Sequence, residues 1–332
     1  MTTPDRVAVI LNPVSSRSGR AVQEIRAACA SAGLATPLVL GTTVEEPGPT
    51  QVGEALARGC DRIVVVGGDG TARLVAGALA DLGAGSARGV RRVGDEPPSG
   101  MRSPATLGVV PVGTANLFAR SARLPVGDLR AAARLAVLGE GRPTDLGEVE
   151  VRGARHPFLV VAGIGHDADT VAAVRPSAKG RLRWLAYFVP GLRRLWRPGY
   201  RLSLTKDGDP LEVGPLWSLL AVNAARLPAG AQVVPGARLD DGVLHVALVS
   251  PRGLLGWVRV AGTGLGPRRS RGRAAADGRY PRDHRALAYR GARELVVEAP
   301  EPVLAQVDGD VVRDVRTARI SVRPGAVTIA RS

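Results

Sequence analysis

The chain is short of several things, and each shortage removes a class of protein. Its 332 residues include only two cysteines, Cys29 and Cys60. That pair makes neither a disulfide framework nor a zinc-ligand set, and a reducing, cytoplasmic compartment is expected. No apolar run approaches the ~20 residues that a spanning helix needs, so any meeting with a membrane is expected to be peripheral. The opening MTTPDRVAVILNP has no basic leader ahead of a long apolar stretch; it reads as the start of a strand rather than a signal peptide. Lysine is nearly absent, since Lys179 and Lys206 are the only two among 45 cations. Such one-sided use of arginine looks like coding bias, which discounts the formal charge of +15 as an argument for nucleic acid or membrane. No GxxxxGK[ST] occurs, which excludes a P-loop enzyme, and no GxGxxG follows the first strand.

What is present is apolar and rich in loops. Hydrophobic residues make up 45% of a length that suits two domains of roughly 100–200 residues each. Glycine (42) and proline (25) follow no short period and coexist with clear strand patterns, as in a globular protein with many loops. Residues 1–145 alternate strands at Val7–Leu11, Pro37–Leu40, Arg62–Val66 and Leu107–Val110 with helical spacing at Ala21–Ala32, Val52–Arg58, from Gly67–Thr71 to about Leu82, Leu117–Ala122 and Leu129–Leu138. That alternation predicts a doubly wound, Rossmann-like α/β domain. Gly83–Pro104, without apolar period, reads as a surface loop.

From Thr144 onward short strands are separated by turn chemistry: Gly147–Val151, Pro157–Ala162, Tyr200–Thr205, Leu216–Asn223, Val243–Val249, Glu294–Ala299, Val303–Val307 and Ala318–Val322. Lys206-Asp207-Gly208-Asp209 supplies the positive φ of a tight hairpin. A mainly antiparallel β domain, a sandwich or barrel, is expected over 146–323, with helical interruptions near Arg181–Trp196 and Arg252–Val260.

The sharpest motif is Val64-Val65-Val66-Gly67-Gly68-Asp69-Gly70-Thr71, a buried strand entering a glycine turn and a helix. Without Cβ atoms there, backbone N–H groups can approach phosphate oxygens, and the helix offers the positive end of its dipole. A steric need for glycine in a tight turn is the plainer alternative. Two other glycine-bearing loops follow parallel strands and fall on the same sheet edge, Asn12 to Gly19 and Pro111 to Asn116. Downstream, Asp240-Asp241-Gly242 suits either Mg²⁺ or an exposed turn. Asp310, in Val307-Asp308-Gly309-Asp310-Val311, suits either a general base or an ordinary hairpin. His166, in GIGHDAD, reads as a structural histidine, and Asp167 as a helix cap or a cleft residue.

Taken in order, NPxS…G, GGDGT, PxGTxN, GIGHDA, LDDGVL and DGD resemble the diacylglycerol kinase catalytic-domain family over nearly the whole chain, especially bacterial lipid kinases related to sphingosine and ceramide kinases. The resemblance implies ATP-dependent phosphorylation of a lipid hydroxyl, with the nucleotide in the first domain and the lipid entering between the two. It implies a nucleotide site of Gly67, Gly68, Asp69, Gly70 and Thr71, flanked by Asn12, Thr114 and Asn116, with Thr42 or Thr43 a weaker contact. It further implies Mg²⁺ on Asp241 and the carbonyls of Arg238 and Val243, with Asp310 and Asp69 as catalytic groups. The chain end, 324–332, is expected to return to the first domain. Two positions depart from the family pattern: Leu117 replaces an acid after the GTxN asparagine, and Asp310 replaces a glutamate.

Residues 175–201 carry eight cations and no acid, interleaved with Trp184, Tyr187, Phe188 and Trp196. The segment suits an anionic membrane surface or, equally, a core helix with a solvated arginine face. Arg268 to Arg293 forms a second cluster that reads as a basic loop, and nothing resembling a nucleic-acid recognition element accompanies either. Two rival functions stand beside the lipid kinase: an NAD kinase, which shares GGDGT but has Asn-Glu where Asn223 is followed by Ala224 here, and a catalytically silent lipid-binding homologue. Neither the lipid nor the oligomeric state is legible.

Overall fold

A computed structural model describes residues 4–86, 105–173, 195–223, 233–265, 280 and 283–332. The chain divides into two compact units, Met1–Leu146 with Pro324–Ser332, and Gly147–Arg323.

The first unit is built on a parallel sheet. Strands β1 (Val7–Leu11), β2 (Leu38–Gly41), β3 (Arg62–Gly67) and β4 (Thr106–Pro111) lie in the order β2-β1-β3-β4, and the end of β14 (Asp310–Arg331) adds Thr328 and Ile329 in parallel beside β4. β3 is buried from Arg62 to Gly67, as a strand covered on both faces must be. Helix α1 (Ser18–Ser31) turns Ala21, Val22, Ile25, Ala28 and Cys29 inward, a spacing that makes one apolar stripe. Helix α2 is Pro49–Ala57, α3 is Asp69–Ser86, and α4 is the short Leu117–Ser121. Helix α5 (Leu129–Leu138) starts under Asp128, whose side chain accepts from the Ala131 N–H at 3.0 Å. Cys29 and Cys60 are buried free thiols, their pKa values raised by burial.

The second unit is antiparallel. β5 (Glu140–Val151), which begins in the first unit, forms a hairpin with β6 (Ala154–Phe158). β7 (Val161–Gly165), β10 (Ser218–Val222), β11 (Leu244–Val249), β12 (Leu287–Ala292), β13 (Glu294–Val307) and β14 are ordered β12-β11-β10-β7-β13-β14. β8 (Ser203–Lys206) pairs with both β13 and β9 (Asp209–Leu211). Phe158, Ile164, Leu219, Leu244, Leu295 and Ile320 lie in the core. Among the described residues two helices complete the unit, α6 (His166–Ala173) and α7 (Gly253–Leu265).

The expected hairpin at Asp207-Gly208 forms, with φ of 52° and 93°, and Lys206 faces Asp209. Several boundaries differ from the sequence reading. Residues 83–86, expected in a loop, instead form the last turn of α3, Gly83 and Gly85 included; residues 87–104 lie outside the described set. Pro157–Ala162 is not one strand but the end of β6, a buried turn at Leu159 and Val160, and the start of β7. β13 runs unbroken through Pro300 and Pro302, with its register against β14 shifting between Glu298 and Val303.

Candidate active site

β1, β3 and β4 run parallel, so the loops that follow them emerge at one edge. Hydrogen bonds knit those loops together. Arg17 donates from one Nη to the carbonyls of Val112 (2.8 Å) and Gly113 (3.1 Å), joining the first loop to the one after β4. Within the first loop, Asn12 Oδ1 accepts from the Val14 N–H and the Ser18 hydroxyl donates to the Asn12 carbonyl. Thr42, buried after β2, donates its N–H to the Leu11 carbonyl, while Thr43 Oγ1 accepts from the Glu46 N–H.

The glycines of the strongest motif divide by what surrounds them. A Cβ on Gly67 would lie 2.9 Å from Thr71 Cβ, and one on Gly113 would lie 2.7 Å from Gly68 Cα and 2.8 Å from Asn116 Oδ1. Those two are glycine because neighbouring protein atoms leave no room. Gly70 is different. A Cβ there meets nothing within 4 Å, and its φ is not positive. Neither sterics nor strain within the protein requires glycine at the first turn of α3, where a Cβ would stand in open space. An anionic phosphate fits such a cradle.

Asp69 has a different position from the one expected of a catalytic group. Its Oδ2 accepts from the Leu117 N–H at 3.0 Å and its Oδ1 from the Phe118 N–H at 2.9 Å, so it caps α4 and ties that helix to the start of α3. Burial pushes the carboxyl above the ordinary aspartate range, opposed by those two N–H groups and by Arg120. Asn116, just ahead of α4, takes a left-handed conformation (φ 47°), donates Nδ2 to the Gly113 carbonyl at 2.8 Å, and leaves a buried Oδ1 without a protein partner. Thr114 is exposed between them.

In the second unit, the Asp308-Gly309 pair (φ 48° and 93°) makes the two-residue turn between β13 and β14. Asp308 accepts from Leu159, Val160 and Val161 N–H at 2.8, 3.1 and 2.9 Å, satisfying the buried turn ahead of β7. The turn chemistry thus belongs to Asp308 and Gly309. Asp310 is exposed on the first residue of β14, opposite Val307 across that turn. Behind it, Gln306 accepts from the Gly309 N–H and donates to Asp167 Oδ2, each at 2.9 Å, and burial raises the Asp167 carboxyl with that bond opposing. Sequence reasoning missed Asp308 and Gln306, whose partners lie far away in the chain. His166 is structural: Nδ1 faces Asp169 at 2.9 Å, Nε2 faces the Pro198 carbonyl at 3.0 Å, and the ring is 4.7 Å from Tyr200.

Asp241, Arg238 and Val243, the groups expected to hold Mg²⁺, lie together in the turn ahead of β11. Asp241 Oδ2 accepts from the Arg238 N–H (3.2 Å) and faces His245 Nε2 (3.0 Å), while Oδ1 accepts from the Val243 N–H (3.2 Å). The Asp241 side chain is 4% exposed and His245 is fully buried. Two of those contacts come from the N–H groups of Arg238 and Val243, the same residues whose carbonyls the resemblance assigned to the ion. Among the described residues no cluster of three His, Cys, Asp or Glu side chains could hold a metal. The far nitrogen, His245 Nδ1, meets the Tyr280 hydroxyl at 2.9 Å, and burial with the Asp241 charge pushes that phenol up to about 12.

Of the cationic segment 175–201, residues 175–194 lie outside the described set, as do Ala224 and residues 266–279, 281 and 282 of the second basic cluster. Arg290, at the described end of that cluster, pairs with Asp283. No helix among the described residues is long and apolar enough to cross a membrane.

A glycine-lined helix start at the carboxyl edge of a parallel sheet, followed by an antiparallel β unit, defines a two-unit protein of α/β-plus-β architecture. Residues 6–149 match the diacylglycerol kinase catalytic domain, and 159–331 match the C-terminal NAD kinase beta sandwich-like domain named for YegS. The "Probable lipid kinase YegS-like" of Pseudomonas aeruginosa PAO1 is 32% identical over 98% of this chain and 94% of its own length. A diacylglycerol kinase of Bacillus subtilis 168 is 27% identical over 92% of this chain and 89% of its own. A crystal structure of a diacylglycerol kinase from Bacillus anthracis str. Sterne covers the whole chain and 98% of its own at a TM-score of 0.67 and 20% identity, a likeness of fold. The chain belongs to the diacylglycerol kinase catalytic-domain family, among its bacterial lipid kinases.

Proposed function

We propose that this protein transfers the γ-phosphoryl group of ATP, taken as Mg·ATP, to a hydroxyl of diacylglycerol or a related lipid. The observation that carries the nucleotide half is the open space at Gly70, which no protein atom needs. In this reading Gly67, Gly68, Gly70 and Thr71 hold phosphate oxygens, and Asn12, Thr42, Thr114 and Asn116 complete the nucleotide site. Phosphoryl transfer asks chiefly for positioning and for neutralised phosphate charge. The N-terminus of α3 and the Arg17 guanidinium supply positive charge on that loop cluster. Asp310 is the general base: as the lipid oxygen bonds to phosphorus and the bond to the β-phosphate oxygen breaks, the hydroxyl proton passes to its carboxylate. Asp241 has no part in this reading, because its oxygens already serve three donors.

Pure protein incubated with γ-labelled ATP and a total lipid extract tests it. Label should enter the organic phase, and Asp310→Asn should lower that transfer at least ~10²-fold, while Asp310→Glu retains measurable turnover. Lipid binding without transfer favours the silent homologue. Phosphorylation of NAD favours the NAD kinase, although Asn223 is buried here and donates Nδ2 to the Leu159 carbonyl.

A further inference from the structure

Helix α7 divides sharply into two faces. Inward, Gly256 is buried and the Trp257 ring stands edge-on to Trp217 at 4.8 Å, with Trp257 Nε1 donating to the Leu195 carbonyl at 2.9 Å. Outward, Leu254, Leu255 and Val258 are 64%, 76% and 61% exposed. The bond to Leu195 anchors the next residue's segment to this helix, and that residue, Trp196, is 69% exposed. These four are the large apolar side chains exposed in the second unit among the described residues. Arg197, Arg252 and Arg259 are exposed around them, and neither Leu195–Leu202 nor Pro251–Val260 contains an acid.

We propose that this face docks on an anionic bilayer, seating Trp196, Leu254, Leu255 and Val258 at the boundary of headgroups and acyl chains with the three arginines against lipid phosphates. The proposal rests on the lipid-kinase reading for its purpose, since such a substrate resides in a bilayer, but its physical case is local. An apolar stripe rimmed by one sign of charge, with an indole beside it, matches the layered polarity of a membrane interface. A second copy of the chain matches it poorly, because a two-fold contact would set the same arginines against one another. The face also differs from the basic segment 175–194, on which nothing here depends.

The test uses the full chain, sedimented with vesicles of phosphatidylcholine and of an equimolar phosphatidylcholine–phosphatidylglycerol mixture. Leu254→Ser combined with Leu255→Ser should lower partitioning about tenfold or more on the anionic vesicles, with the melting temperature unchanged because both side chains already face water. Arg197→Gln combined with Arg252→Gln should weaken anionic binding about fivefold per charge at low salt and leave neutral vesicles unaffected. Partitioning is read without turnover, so a protein that binds vesicles through this face yet transfers no phosphate overturns the kinase reading alone. Wild-type partitioning of the Leu254/Leu255 variant overturns the docking proposal. So does concentration-dependent self-association that the same variant abolishes, which would give the face to a second copy.

Discussion

Gly70→Ala separates a phosphate cradle from a mere turn, because the two ideas predict opposite signs. The added methyl meets no heavy atom within 4 Å, and the residue sits in α3 without a positive φ. Exchanging glycine for alanine in a helix gains up to ~1 kcal/mol, less in a first turn. For a unit of this size that raises the midpoint by at most about 2–4 °C. Nucleotide affinity should move the other way. A Cβ in the space that phosphate oxygens would enter keeps them beyond the 2.7–3.2 Å that an N–H···O bond requires. Losing one or two bonds to a charged acceptor, at about 1.5–3 kcal/mol each, weakens binding at least ~10-fold. Thermal melting without ligand and calorimetric titration with a non-hydrolysable Mg·ATP analogue give both numbers. Gly113→Ala is the contrast, since its Cβ would stand 2.7 Å from Gly68 Cα and should cost stability outright. Unchanged nucleotide affinity in a Gly70→Ala protein of undiminished stability would refute the cradle.

Three further outcomes follow from the buried polar groups. Asp69→Ala strips two N–H groups of their acceptor, so the first unit should lose about 1–3 kcal/mol in denaturant unfolding and bind nucleotide less tightly; a melting curve like wild type would remove its positioning role. Asp167 has a carboxyl raised by burial, so the stability it gives is complete below the ordinary aspartate range and is lost as pH rises through its higher folded value. Asp167→Asn still accepts from Gln306 and cannot ionise, so its midpoint should fall less than wild type between about pH 4 and pH 7, and parallel curves would contradict this. His245→Ala should cost about 1–3 kcal/mol by taking one partner from Asp241 and one from Tyr280, and Mn²⁺ titration without nucleotide should detect no ion that Asp241→Asn removes.

The alternation of apolar runs and Ala-rich helices made the first unit readable almost element by element, because each βα step is local. The helix expected at Leu129–Leu138 has those bounds, and the structure adds Asp128 as its cap. The second unit resisted where distant partners override local signals. Leu159 and Val160 look like strand because they are apolar, yet they form a buried turn whose N–H groups are satisfied by Asp308, about a hundred and fifty residues later. Pro300 and Pro302 look like a break, and a register shift lets β13 continue through them. At the candidate site the glycine loops were legible as a set, but not which glycine is spare. The two donors to Asp69, Leu117 and Phe118, were not legible because they arrive from the next βα unit. Asp241 looked like a cation ligand because His245, one helical-looking step away, gives no hint in the sequence that its ring turns toward the carboxylate.

The parallel pairing of Thr328 and Ile329 with Thr106 and Leu107 sets an order of events on the ribosome. When β4 emerges, its outer edge has no neighbour, and it waits while all of Gly147–Arg323 is translated. At ~5–20 residues per second that interval is on the order of ten seconds or more, during which an apolar strand displays unpaired N–H and C=O groups. The nascent first unit therefore passes through a stage in which a holdase, or the wrong strand, competes with the rightful partner. Moving Pro324–Ser332 to the front of the gene through a linker would close the edge before β4's successors appear, shortening the window for aggregation.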